Sequence, residues 1–154
     1  MIDTPKVIQI QSQTTALIRI TVPRDRIQEV MGPGYQELMS TLAAQGVQPA
    51  GPWYTHHLRM DPDVFDYELG VPVSGPVAPS GRVVGGSLPT VRAAHTVYHG
   101  GYEGLGEGWG QFEAWLAAEG HTPAGDLWEV YAAGPETGQD PSTWRTELFR
   151  PLKD

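Results

Sequence analysis

The strongest constraint on this chain is a decapeptide that occurs twice. LAAQGVQPAG at 42–51 and LAAEGHTPAG at 116–125 share Leu, Ala, Ala, Gly, Pro, Ala and Gly in the same places, at a constant offset of 74 residues. Farther along, Glu68, Leu69 and Pro72 match Glu147, Leu148 and Pro151 at an offset of 79. Each half therefore repeats one order of elements, with a loop five residues longer in the second. Two copies are too few for a solenoid, and 154 residues make about one ordinary domain. The expectation is a tandem of two pseudo-symmetric modules within one domain.

Periodicity supplies the plan of each module. Lys6–Gln11 and Thr15–Val22 alternate like half-buried strands, and Arg82–Ser87 and Val91–Tyr98 take the same places in the second half. Tyr35, Leu38, Met39 and Leu42 form a helical stripe that Trp109, Phe112 and Leu116 repeat, and Gly46 and Gly120 follow as stop signals. Such a stripe is first of all a core face. Trp53–Arg59 with Phe65–Val71, and Leu127–Ala132 with Trp144–Phe149, read as hairpins. The prediction is an α+β fold, each module with about four strands and one main helix. Repeat 1 spans about 5–73, repeat 2 about 82–152, and the Gly- and Pro-rich stretch at about 74–81 links them.

Composition narrows the function. There is no cysteine, which removes disulfides, thiolate metal sites and a cysteine nucleophile. The chain begins without a signal-like apolar run, and no later run approaches a membrane span, so a cytoplasmic protein is expected. The formal charge of −8, with lysine only at Lys6 and Lys153, repels phosphate backbones, so no direct nucleic-acid binding is expected. The histidines His56, His57, His95, His99 and His121 invite a metal reading. His95 and His99 have four-residue spacing, but there is no HExxH and the segment reads as a strand, so no metal or cofactor is expected. Gly100–Gly110 lacks the Lys-Ser/Thr ending of a phosphate loop, and no GxSxG elbow is present.

One position breaks the repeat. Alternation puts Glu129 and Tyr131 on one side of their strand, with Trp128 and Val130 on the other, where they are expected to face a helix. At the offset of 74 the counterpart of Glu129 is Thr55, and that of Tyr131 is His57. A carboxylate in an aromatic neighbourhood is costly unless it does something.

The ordered set His99-Gly-Gly-Tyr-Glu103, Trp109 to Gly120, Gly125-Asp-Leu-Trp-Glu-Val-Tyr131, Trp144-Arg-Thr-Glu-Leu148 and Pro151 resembles the GyrI-like small-molecule-binding domain, the effector-binding domain of AraC- and MerR-type multidrug regulators. The resemblance implies a ligand pocket between the modules, where an acid surrounded by aromatic side chains meets lipophilic, often cationic, compounds. That acid would be Glu129, with Tyr131 as a wall residue. Thr55 and His57 follow by symmetry, and Tyr54, Tyr67, Trp109 and Trp144 are aromatic candidates. With the first strand at about residue 6, the resemblance points to a stand-alone member rather than a complete transcription factor. It implies a small-molecule-binding protein first. The alternatives are a hydrolase of cyclopropane-bearing, DNA-alkylating natural products, with Glu129 as general base and Tyr131 supporting developing negative charge, and a gyrase-inhibitor-like protein-interaction module.

Overall fold

The computed structural model describes residues 2–134 and 138–153, and its chain divides into two compact units. Unit 1 is Met1–Ile10 with Val91–Asp154, and unit 2 is Gln11–Thr90. The fold is α+β.

Unit 2 contains β2 (Gln13–Pro23), α1 (Ile27–Gln45), β3 (Tyr54–Met60), β4 (Val64–Pro72) and β5 (Val84–Leu88). Its strands run antiparallel in the order β3-β4-β2-β5. Unit 1 contains β1 (Lys6–Ile10), β6 (Val91–His99), α2 (Leu105–Ala118), β7 (Leu127–Ala133) and β8 (Arg145–Pro151), antiparallel in the order β1-β6-β8-β7. In chain order the first strand, β1, pairs with β6, while β5 pairs with β2. Each unit thus takes an outer strand from the segment that leads into the other half.

The helical stripes are core faces. Leu38 and Leu42 of α1 are buried with Ile18, Ile20, Tyr67 and Leu69 of β2 and β4. Phe112 and Leu116 of α2 are buried with Ala94 and Tyr98 of β6 and Leu148 of β8, and Trp109 packs against that cluster. Burying a Leu or Phe side chain contributes roughly 1.5–3 kcal/mol, so these few residues fix each helix on its sheet. The segment between β4 and β5 is pinned to α1: Gln45 donates to the Ala78 carbonyl and accepts from the Ala78 N–H, and Val77 is buried in the unit 2 core.

The repeated decapeptide has a physical explanation. α1 ends at Gly46 (φ 68°) and α2 is followed by Gly120 (φ 74°), both left-handed. Their N–H groups donate to Ala43 and Ala117, and the next residues, Val47 and His121, donate to Leu42 and Leu116. These bonds satisfy the helix's last carbonyls, and a left-handed residue without Cβ carries no steric penalty. The chain then turns back to the sheet. Ala50 donates to Pro72 and Ala124 donates to Pro151, each at 2.8 Å. The isolated bridges Pro49–Val73 and Pro123–Leu152 lie beside them. Leu, Gly, Pro and Ala recur because each has one task in this turn.

The strand register follows the same offsets. Thr55 lies opposite Leu69 and Glu129 opposite Leu148, while Tyr54 lies opposite Gly70 and Trp128 opposite Phe149. The orientation of β7 differs from expectation. It is Glu129, not Trp128, that turns toward the helix, because its partner Leu148 lies in the core with Phe112 and Leu116 and its carboxylate reaches Trp109 of α2. Trp128 lies on the far face with Phe149, whose ring is 4.5 Å from His95. Trp128 and Tyr131 are both buried, on opposite faces, so hydrophobic alternation on β7 carries no sign of which side the helix covers.

The left-handed caps generate a prediction. Gly46→Ala and Gly120→Ala each force a Cβ into the left-handed region, a cost of about 1–2 kcal/mol. In a chain of this size that lowers Tm by roughly 2–8 °C in thermal unfolding. Gly125→Ala, at a site with open space for a Cβ and no positive φ, leaves Tm unchanged.

Candidate functional site

In unit 1 two elements, β7 and α2, meet at one carboxylate. Glu129 and Tyr131 stand two residues apart on β7, so their side chains share a face, and the Tyr131 hydroxyl donates to Glu129 Oε1 at 2.8 Å. From α2, the Trp109 indole N–H donates to Glu129 Oε2 at 2.6 Å. Both are hydrogen bonds to a charged acceptor, which are shorter and stronger than neutral ones. The site continues through rings: Tyr102, in the 3-10 turn Tyr102–Gly104 before α2, meets Tyr131 edge-on at 6.0 Å and Trp144 at 5.2 Å. Trp144 is held by its indole N–H, which donates to the Gly138 carbonyl at 2.9 Å.

The electrostatics of Glu129 are unusual for this chain. Burial raises its pKa above the ordinary carboxylate value, and the hydrogen bonds from Trp109 and Tyr131 oppose the rise without cancelling it. Among the described residues no Lys, Arg or His side chain contributes to its charge balance. The residue nevertheless keeps partial contact with solvent. Asp66 in unit 2 shows the contrast. It accepts hydrogen bonds from Arg19, Arg59 and Thr21, chiefly from Arg19, and its pKa is pushed down to about 2.

The unit 2 positions form a different environment. Thr55 and His57 lie on the helix-facing side of β3, both buried. His57 stacks on Tyr67 at 5.3 Å and meets Phe65 edge-on at 5.3 Å, and burial lowers its pKa to about 4, so it is neutral at pH 7. Tyr67 is fully buried and donates to the Met31 sulfur at 3.3 Å. Tyr54 lies on the opposite face with its ring over Gly70, and burial pushes its hydroxyl up to about 12, as it does that of Tyr67. The structure thus joins Glu129, Tyr131 and Trp109 directly and Trp144 through Tyr102, and in unit 2 joins His57 to Tyr67. Tyr102 was absent from the sequence-derived candidates. Its signal was its place inside the His99–Glu103 run, where the neighbouring glycines suggested only a turn.

The other histidines have local partners: His56 lies 3.3 Å from Glu68, His95 3.0 Å from Glu147 and His99 2.9 Å from Asp3, while His121 packs against Trp115. Among the described residues no helix is long and apolar enough to cross a membrane.

Known proteins share the sequence pattern and the fold. The model of a family described as the GyrI-like small molecule binding domain matches residues 3–153. A comparison with curated proteins finds no match. Among solved structures, the C-terminal domain of EcmrR is similar with a TM-score of 0.86 at 19% identity, covering 98% of this chain and 98% of that one. EcmrR in its DNA complex within EcmrR-RPo gives a TM-score of 0.82 at 21% identity, covering 97% of this chain and 57% of that chain. This chain therefore spans little more than half the length of that relative. SAV2435 bound to tetraphenylphosphonium gives a TM-score of 0.60 at 13% identity, covering 98% of this chain and 94% of that one. At these identities the likeness is one of fold.

The hydrogen bonds to Glu129 generate a prediction. Tyr131→Phe removes a donor that favours the charged form, so the Glu129 pKa rises further. Titration of the labelled Glu129 carboxyl carbon by NMR measures it. An unchanged or lowered pKa would show that the Tyr131 hydroxyl does not stabilise the carboxylate.

Proposed function

The chain belongs to the GyrI-like small-molecule-binding domain family, and from that premise we propose that it binds lipophilic aromatic cations, with Glu129 as the group that selects for positive charge. The observation that carries this reading is the carboxylate held, among the described residues, by the neutral donors Trp109 and Tyr131, in surroundings that raise its pKa. Such a group costs the free protein stability and recovers it when a cation arrives. The rings of Trp109, Tyr131, Tyr102 and Trp144 supply the rest: an aromatic face beside a desolvated cation contributes roughly 0.5–2 kcal/mol. Apolar walls with one fixed charge tolerate many ligand shapes. The solved complex of SAV2435 with tetraphenylphosphonium, on a similar fold, supports choosing that cation as a probe.

We read the chain further as a duplicated module in which one copy carries the acid. Support comes from the cross-strand pairs Thr55–Leu69 and Glu129–Leu148, which stand at the offsets of the sequence repeat. The unit 2 copy holds Thr55 and a neutral His57 where unit 1 holds Glu129 and Tyr131.

A second reading has one observation in its favour. A carboxylate whose pKa is raised is a stronger base than an ordinary one, and it could take a proton from water directed at a strained electrophilic ring. Its distinguishing outcome is turnover of a cyclopropane-bearing alkylator that Glu129→Gln abolishes.

The test of the binding reading is a titration with tetraphenylphosphonium between pH 5 and 8. The cation requires ionised Glu129, so affinity falls about tenfold per pH unit below the folded-state pKa. Stability runs the other way. Because the folded state binds the Glu129 proton more tightly than the unfolded state, this group's contribution to stability falls as pH rises from the unfolded pKa through the folded one. Glu129→Gln therefore weakens binding at least tenfold, removes the pH dependence, and at pH 8 leaves Tm equal to or above that of the wild type. A glutamine variant that binds as tightly as the wild type would overturn the proposal.

A further inference from the structure

Two residues before Leu148 on β8 stands Thr146, on the same helix-facing side of the sheet as Leu148, Glu129 and Tyr131. It is fully buried, and its hydroxyl oxygen has no hydrogen-bond partner among the described residues. Across β6 it lies opposite Tyr98, but that ring packs against the start of α2 at Gly104 and Gly108, and its hydroxyl donates to the Gly101 carbonyl. The Tyr98 hydroxyl therefore makes no hydrogen bond to Thr146.

The corresponding place in unit 2 is filled differently. Tyr67, two residues before Leu69 on β4, is also fully buried and on the helix side, opposite Ile20 of β2. Its ring stacks on His57, the counterpart of Tyr131, and its hydroxyl donates to Met31. Unit 2 thus fills this place with a satisfied aromatic ring. Unit 1 has a small side chain whose polar atom is unmet among the described residues, on the strand that pairs with the one carrying Glu129 and its tyrosine donor. A buried hydroxyl without a partner is destabilising, and an apolar side chain of the same shape would avoid that cost.

We infer that Thr146 is a second recognition residue of the Glu129 site, and that the preferred ligands are aromatic cations carrying a hydrogen-bonding atom about one ring's width from the positive charge. The inference rests on the proposed role of Glu129. The spacing follows from the strand. Residues two apart on one face are separated by about 7 Å, so Thr146 lies that far along β8 from Leu148, the cross-strand partner of Glu129. Glu129 keeps solvent contact and Thr146 has none, so a ligand entering from solvent meets the carboxylate before the hydroxyl. A ligand ring seated against Tyr131 takes in unit 1 the role that the Tyr67 ring takes against His57 in unit 2, and its polar substituent meets the Thr146 oxygen.

The test compares two cations: tetraphenylphosphonium, which has no hydrogen-bonding atom, and rhodamine 6G, a planar aromatic cation with N–H groups and an ester carbonyl. Each is titrated against wild type, Thr146→Val, Thr146→Ser and Glu129→Gln, with competition between the two confirming one site. Thr146→Val is expected to weaken rhodamine 6G by about 3–10-fold, the size of one neutral hydrogen bond, and to leave tetraphenylphosphonium within about twofold. Thr146→Ser keeps rhodamine 6G binding within about twofold of wild type, and Glu129→Gln loses both ligands. Tm of ligand-free Thr146→Val is expected to match or exceed that of the wild type. Equal weakening of both ligands by Thr146→Val, no weakening of either, or a lowered Tm would overturn the inference while leaving Glu129 in place. Failure of the wild type to bind either cation would overturn the Glu129 reading and this inference with it.

Discussion

One backbone hydrogen bond, made once in each unit, holds the helix end to the sheet: Ala50 to Pro72 and Ala124 to Pro151. The left-handed glycine before it turns the chain out of the helix, and the proline between them fixes φ so that the alanine N–H points back at the last residues of β4 or β8. Those strands lie inside their sheets, with a partner on either side. Clipping the helix to an inner strand sets which residues of the strand meet the apolar stripe. Leu69 and Leu148 fall opposite the stripe, and from them the register reaches Thr55 and Glu129 by cross-strand pairing. The position of the carboxylate is thus decided by the turn that leads from the helix into its strand.

That position is an expensive one. Two acids of unit 2 are compensated: Asp66 by two arginines and a threonine, and Glu37 by Arg82. From 93 to 144 the sequence holds no Lys or Arg, so the stretch that carries Trp109 and Glu129 has no cationic side chain of its own to offer. Neutral donors hold the carboxylate in orientation and leave its charge uncompensated. A fold that only needed to fill this space could have used a threonine, as it does at Thr55.

Much of this was legible in the sequence, for identifiable reasons. Strands and helices showed because each faces a core on one side and leaves the period of its element in the apolar residues, as with Leu38 and Leu42 or Phe112 and Leu116. The broken symmetry at Glu129 showed because the decapeptide supplied a ruler. The facing of β7 did not show, since Trp128 and Tyr131 are both buried and two buried faces look alike in a sequence. The partnership of β1 with β6 was equally hidden: alternation identifies a strand and says nothing of which distant strand will pair with it. Trp109 read as one more member of a core stripe, and only the structure shows its ring packing with Phe112 while its N–H serves Glu129. Tyr102 and Thr146 were obscured by context, one by its glycines and the other by the ordinary appearance of threonine in a strand.

The division of the chain bears on how it is made. Unit 2 is one continuous stretch, complete once Thr90 has been synthesised, whereas unit 1 begins with a strand whose neighbours on β6 and β8 come much later. At about 5–20 residues per second, the 61 residues from Val91 to Pro151, which supply β6 and β8, take roughly 3–12 s, far longer than most small domains need to fold. On the ribosome the half without the acid can therefore be finished while β1 still waits as an unpaired strand. The half that carries Glu129 closes after the other, since its inner strand β8 follows β6, α2 and β7 in the chain.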